Sequence, residues 1–144
     1  MAESDMSPGR MLRNIVAATA VQAPGAPNAL IGRLIEEMGF PAMYLSGAAF
    51  SAGVLALPDI GLFTLTELVQ QVQLLTSRVT VPVIVDADTG FGDTANVERT
   101  IAELERAGAA AIQLEDQELP KRCGHLSGKS LVKTDAMCAK LRAA

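Results

Sequence analysis

Apolar positions along this chain follow two rhythms. Short, nearly continuous apolar runs alternate with stretches in which apolar residues recur every three or four positions. The clearest runs are Ala42-Met43-Tyr44-Leu45-Ser46, Val81-Pro82-Val83-Ile84-Val85-Asp86 and Ala109 to Glu115. A shorter one, Ala20-Val21-Gln22-Ala23, stops at Pro24-Gly25. Continuous runs suit strands of a parallel sheet that is covered on both faces. Between them, Met11 to Val21 predicts a helix leading into the first strand. Asn28 can cap a helix with Ile31, Leu34, Ile35 and Met38 inward, stopped by Gly39. Thr64-x-x-Glu67 is a capping-box pattern that opens a helix with Leu65, Leu68, Val69, Val72 and Leu75 on one side. Asp93 or Thr94 starts another, with Val97, Ile101 and Leu104 inward and Gly108 at its end. Thr134 caps the last, with Met137, Cys138 and Leu141 inward.

Four β-α units in order predict an α/β fold. Two architectures are open, a doubly wound sheet and a (β/α)₈ barrel, and in both the chemistry sits at the C-terminal ends of the strands. The polar motifs fall there: Ser46-Gly47, Asp86-x-Asp88 and Glu115-Asp116. No Gly-x-Gly-x-x-Gly follows the first strand, which weakens a dinucleotide-binding reading.

Composition narrows the picture further. The 144 residues are 49% hydrophobic and 19% charged, enough for one folded domain with a core. A net charge of −4 and 3% aromatic residues argue against nucleic acid as a partner. No apolar stretch reaches the roughly 20 residues of a membrane span. The acidic start Met1-Ala2-Glu3-Ser4-Asp5 lacks the features of a secretory leader. Cys123 and Cys138 read as free thiols of a reducing compartment, so the expected location is cytoplasmic.

The chemistry concentrates in two places. In Lys121-Arg122-Cys123-Gly124-His125, two cations and the only histidine flank a cysteine. Neighbouring positive charge favours thiolate, which makes a reactive cysteine of Cys123. A zinc site is improbable with so few cysteine and histidine ligands. Asp86 and Asp88 lie two apart, and a continuing strand would turn both to one side. Like charges there call for a cation, and oxygen ligands favour Mg²⁺ or Mn²⁺. Glu115 at the next strand tip strengthens that reading. A plainer alternative is a turn whose aspartates cap the following helix. The small residues Ser46-Gly47-Ala48-Ala49 can let backbone N–H groups approach an anion, or simply form a turn.

Together, Tyr44-Leu45-Ser46-Gly47, Leu57-Pro58-Asp59, Asp86-Ala87-Asp88-Thr89-Gly90-Phe91-Gly92, Leu114-Glu115-Asp116-Gln117 and Lys121-Arg122-Cys123-Gly124-His125 resemble the isocitrate lyase and phosphoenolpyruvate mutase superfamily. They are most like its branch that cleaves 2-methylisocitrate in the methylcitrate cycle of propionate catabolism. The resemblance runs from about Ile15 to the last residue, and the cysteine loop is its most specific part.

The resemblance implies a (β/α)₈ TIM barrel, dependence on Mg²⁺, and cleavage of a small tricarboxylic acid into pyruvate and succinate. It implies that Asp86, Asp88 and Glu115 belong to the metal site. Ser46, Gly47 and Ala48 would hold the keto-acid carboxylate, and Asp59 would line the pocket. Cys123 would be the catalytic acid on a mobile loop with Lys121, Gly124 and His125. Lys121, Arg122 and His125 would hold carboxylates and tune the thiol, and Tyr44 would be a base, as phenolate near the metal. Isocitrate cleavage to glyoxylate is the neighbouring alternative. Carbon–phosphorus mutase or oxaloacetate-type chemistry is disfavoured by Cys123.

A barrel takes roughly 200 residues or more. The expectation for residues 1–144 is therefore the N-terminal portion of a TIM-barrel lyase domain, with about four units and little activity alone. It would be a fragment, a truncated inactive relative, or half of a paired barrel. Open sheet edges favour association, and full-length relatives are expected to be homo-oligomers, tetramers in particular.

Overall fold

Three strands form a parallel sheet in chain order: β1 (Met43–Leu45), β2 (Val83–Asp86) and β3 (Ala111–Gln113). Their register pairs Tyr44 with Ile84 and Ile84 with Ala111, then Asp86 with Gln113. This computed structural model describes residues 6–144, so the acidic segment 1–5 lies outside the described residues.

Side chains alternate across a strand, and here the two faces differ. Met43, Leu45, Val83 and Val85 are buried with Ile35, Leu68, Val72, Leu75 and Leu104 in one core. Those partners come from helices α2 (Ala29–Glu37), α4 (Leu65–Thr76) and α5 (Thr94–Arg106). On the other face Tyr44, Ile84 and Ala111 are only half-buried, and Gln113 is exposed.

The helices start where local chemistry satisfies their first N–H groups. Asn28 Oδ1 accepts from Ile31 N–H at 3.1 Å to cap α2. Thr64 and Glu67 form the complete capping box of α4. Asp93 caps α5. Helix α1 (Pro8–Ala18) begins earlier than its apolar pattern suggests, because Ser7 caps it and Pro8 presets the first turn. Helix α6 (Thr134–Ala143) takes Lys133 as its N-cap, so Thr134 is its first residue and caps nothing.

Four further expectations are corrected. No strand forms at Ala20–Ala23. The pairing moves to a single parallel bridge between Gly25 and Tyr44, where proline on either side at Pro24 and Pro27 withholds ladder N–H donors. Ser46-Gly47-Ala48-Ala49 is the cap and first turn of a short helix, α3 (Gly47–Gly53), rather than a loop. Leu34 and Met38 are exposed. Helix α2 turns its Gly32 side toward α4, where a Cβ would come within 2.4 Å of Leu75 Cδ1, and this rotates the buried stripe to Gly32 and Ile35. Leu141 is also exposed, and α6 buries no residue completely.

After β2 the chain reverses sharply. Asp88, Gly90 and Phe91 all take positive φ, at 47°, 90° and 61°. Gly90 N–H donates to Ala87 O at 2.9 Å, and Thr100 Oγ1 donates to Gly90 O at 3.1 Å. Phe63 packs edge-on against both Phe50 and Phe91, at centroid distances of 5.3 and 5.8 Å, and so supports the turn from outside. A Cβ at Gly90 would meet Val97 Cγ2 at 2.6 Å, inside the buried face of α5. Gly90→Ala is therefore expected to lower stability by about 1–3 kcal/mol through overpacking. Urea unfolding of the two proteins checks this, and an unchanged midpoint would contradict it.

Candidate active site

Strand β2 delivers two carboxylates to one point. Asp86 is its last residue, and the left-handed conformation of Asp88 swings the second carboxylate back toward the first. Asp86 Oδ1 accepts from the Asp88 N–H and Asp86 Oδ2 from the Gly47 N–H, both at 3.1 Å. A Cβ on Gly47 would stand 3.2 Å from both Asp86 Oδ2 and Asp88 Oδ1, so the missing side chain leaves the two oxygens a shared space. Asp86 and Asp88 are both buried. Of the turn-and-cap alternative for this pair the turn is present, since Asp88 N–H bonds back to Asp86, but the capping is not, since Asp93 caps α5.

Into this acidic corner comes Lys121. It is 2% exposed. Its ammonium hydrogen-bonds to Asp59 and lies 2.7 Å from Asp88 Oδ1, which has no other hydrogen-bond partner. Burial alone would lower Lys121, but the bonds to Asp59 and Asp88 win and hold it well above the ordinary lysine range. Burial pushes Asp88 up, opposed by Lys121. Glu115 is also raised, first by burial and then by Asp86 and Asp88, against the pull of Lys121.

The loop carrying Lys121 is stitched to β3. Gln117 is buried and bonds to both Glu115 Oε2 and the backbone of Arg122. Cys123 is half-buried, with its Sγ 3.8 Å from His125 Nδ1. It follows Lys121 by two residues on the same loop. A cleft of about 500 Å³ beside the loop is lined by Gln113, Glu115, Gln117, Gly124 and Lys129, among others.

The expected residues separate into three groups. Asp59, Asp86, Asp88, Gly47 and Lys121 converge. Glu115 is bonded to Gln117, and Cys123, Gly124 and His125 continue the loop beyond Lys121. Arg122 instead points outward, its Nη1 donating to Ser127 O at 3.5 Å. Ser46 spends its hydroxyl on capping α3, accepting from Ala49 N–H at 3.3 Å, and Gly47 gives its N–H to the Asp86 carboxylate.

Tyr44 stands on the open face and donates to Gln113 Oε1 at 2.8 Å. Burial, then the charges of Asp86 and Glu115, push its hydroxyl well above the usual phenol range. Within the chain's own field the phenolate expected from the sequence is disfavoured.

Two residues escaped the sequence reading. Gln117 has a trace in its spacing, two places beyond Glu115. Lys140, whose ammonium donates to Thr89 O at 2.9 Å and braces the Asp88 turn from α6, left none.

A divalent cation suits this corner in part. Among the described residues no three His, Cys, Asp or Glu side chains converge closely enough to enclose a metal by themselves. Glu115 is drawn off by Gln117, so the expected trio does not close. Asp86 and Asp88 do offer buried oxygens to one space, one of them otherwise partnered only by an ammonium, and Mg²⁺ commonly takes one or two carboxylates.

Comparison with known proteins places these features. Residues 12–144 match the family model described as phosphoenolpyruvate phosphomutase. The chain is 56% identical over 138 residues to a 2-methylisocitrate lyase of Aeropyrum pernix, covering 95% of this chain and 44% of that protein. It superposes with a TM-score of 0.90 and 35% identity on a phosphoenolpyruvate phosphomutase from Streptomyces platensis subsp. rosaceus, covering 96% of this chain and 48% of that one. A 2,3-dimethylmalate lyase of the PEP mutase/isocitrate lyase superfamily gives a TM-score of 0.89 at 37% identity, covering 96% of this chain and 47% of that one. The chain thus spans about half the length of the proteins it matches.

Removing the cation tests the electrostatics. Lys121→Met leaves the buried Asp88 and the largely buried Asp59 without their partner, an expected loss of about 3–5 kcal/mol near neutral pH. With Lys121 gone, nothing opposes the burial that raises Asp88, so folding takes up its proton sooner as pH falls. The deficit relative to the parent is therefore largest at neutral pH and shrinks on acidification toward roughly pH 4. Urea unfolding across that range checks the sign, and a deficit that grows in acid would contradict it.

Proposed function

This chain belongs to the phosphoenolpyruvate phosphomutase family, and from that membership we propose that it carries the acid- and cysteine-bearing part of a carbon–carbon lyase. The substrate we propose is 2-methylisocitrate, cleaved to pyruvate and succinate, as the name of the Aeropyrum relative suggests. The observation that carries this reading is the buried Lys121. It ties the loop of Cys123 to Asp88 just past the tip of β2 and to Asp59 in the segment after α3. A surface loop with a stray thiol would have no reason to bury an ammonium there.

We further propose that the sheet is the start of a (β/α)₈ barrel. Its strands run in chain order, three helices share one face, and the polar residues Tyr44 and Gln113 stand on the other. That half-open face supports closure by further strands or association of copies, hence a homo-oligomer. A cytoplasmic setting is the matching proposal for location. Among the described residues no helix is long and apolar enough to cross a membrane.

Asp86 and Asp88 would hold a Mg²⁺, or Mn²⁺ in its place, with Glu115 nearby. Bound there, the cation supplies Lewis-acid stabilisation to the keto-acid oxygens of the substrate. The chain's own residues would do the rest. Tyr44, on the open face, is placed to take the substrate's hydroxyl proton once the negative field of Asp86, Glu115 and Asp88 is neutralised. The bond between the hydroxyl-bearing carbon and its carboxylate-bearing neighbour then breaks. Its electron pair passes to that neighbour, and the hydroxyl carbon becomes the ketone of pyruvate. Cys123 delivers its proton to the carbon left with the pair and completes succinate. His125, beside the sulphur, would return a proton to Cys123. Lys121, held by Asp59, would present positive charge to a substrate carboxylate, and docking of the loop would keep water from the carbanion.

A fusion in which this chain replaces the corresponding segment of the Aeropyrum pernix relative tests the proposal. With Mg²⁺ and 2-methylisocitrate the fusion should release pyruvate, and chelation should abolish release. Cys123→Ser should reduce turnover by about 10²-fold or more, whereas Cys138→Ser on α6 should leave it intact. Preferential release of glyoxylate from isocitrate would overturn the substrate assignment, and full turnover by Cys123→Ser the role of the thiol.

A further inference from the structure

We infer that Gln117 is the positioning residue that docks the cysteine loop onto the tip of β3. Gln117 is 6% exposed. Its Nε2 donates to Glu115 Oε2 at 2.8 Å and to the Arg122 carbonyl at 2.9 Å, while its Oε1 accepts from the Arg122 N–H at 3.0 Å. One amide thus engages both backbone groups of Arg122, much as a neighbouring strand would. A carboxylate could supply the acceptor but not the donors, and an apolar side chain neither.

The base of the loop is closed separately. Gln117 bridges Leu131 in antiparallel fashion, Glu118 N–H donates to Ser130 O, and Val132 N–H donates to Asp116 O, both at 2.8 Å. Beyond that base, Arg122 is the point where Gln117 grips the loop. Its two neighbours in the chain differ. Lys121 turns inward to Asp59 and Asp88, and Cys123 stays half-buried. Holding the backbone of Arg122 therefore sets where both side chains go. Glu115, the third partner, links the same amide to the acidic corner, so the loop and the strand tip move as one piece. This inference deepens the lyase reading and rests on it for its catalytic meaning, but the docking itself can be measured without substrate.

The test uses the 144-residue chain, with hydrogen exchange and site-resolved mass spectrometry after iodoacetamide treatment. Gln117→Leu should speed exchange of the Arg122 amide by about tenfold or more. It should also speed alkylation of Cys123 severalfold relative to Cys138, while the β2 amides of Val83–Asp86 keep their protection. Gln117→Glu, which retains the acceptor for the Arg122 N–H, should restore part of the Arg122 protection. Unchanged Arg122 exchange in the leucine variant would overturn the proposal, and so would a freed Arg122 with Cys123 alkylated at the parent rate. Should the leucine variant fail to fold, the parent decides: an Arg122 amide exchanging there as fast as a free amide would refute the docking. The lyase reading fails on a different readout, turnover of the Cys123→Ser fusion, so the two can fall separately.

Discussion

A single ammonium, buried between two carboxylates, organises the upper end of this sheet. Lys121 meets Asp59 and Asp88 almost out of contact with water. Each member of that trio would be costly alone, because a buried charge without a partner loses its hydration and gains nothing back. Each also comes from a different piece of chain: the loop after β3, the segment after α3 and the turn after β2. Their meeting therefore fixes those three pieces relative to one another, with a specificity that apolar packing below could not supply.

The surrounding backbone is shaped to allow it. Asp88 adopts a left-handed conformation, and Gly90 sits where a methyl group would collide with Val97. Gly47 opens the space that Asp86 and Asp88 share. Phe50, Phe63 and Phe91 link the same turn to the core through edge-to-face contacts. Beneath them the sheet is an ordinary apolar core on its helix-covered side. Rigid strands and a bent, acid-rich rim hold the loop in one place.

Much of this was legible in the chain itself. Uninterrupted apolar runs mark β1, β2 and β3, and the Thr64–Glu67 box and Asn28 mark α4 and α2, because those signals are local. Asp86-x-Asp88 identifies the acidic corner, although the second aspartate arrives by a left-handed turn and not by strand alternation. What escaped depends on distant partners. Lys121 stands next to Arg122 in a polar stretch, which from local sequence reads as solvated. The approach of Asp59, 62 positions earlier, and of Asp88 makes it an interior residue. Helix α3 hid in a run of small residues that serves a turn equally well. The outward turn of Leu34 and Met38 follows from the tight contact of Gly32 with Leu75, which no periodicity reveals. The upward shift of the Tyr44 hydroxyl likewise sums its burial with the fields of Asp86, Glu115 and Asp88 at the ends of β2 and β3.

The central claim is that the Lys121 ammonium is a buried, permanently charged tie between the loop and the strand ends. Nitrogen-15 NMR of the lysine side chains addresses it most directly. The account predicts one slowly exchanging ammonium signal, assigned to Lys121, that persists as the solution is raised through the usual lysine range near about 10.4 while the other lysines titrate. A Lys121 signal that exchanges freely and titrates with the rest would contradict it.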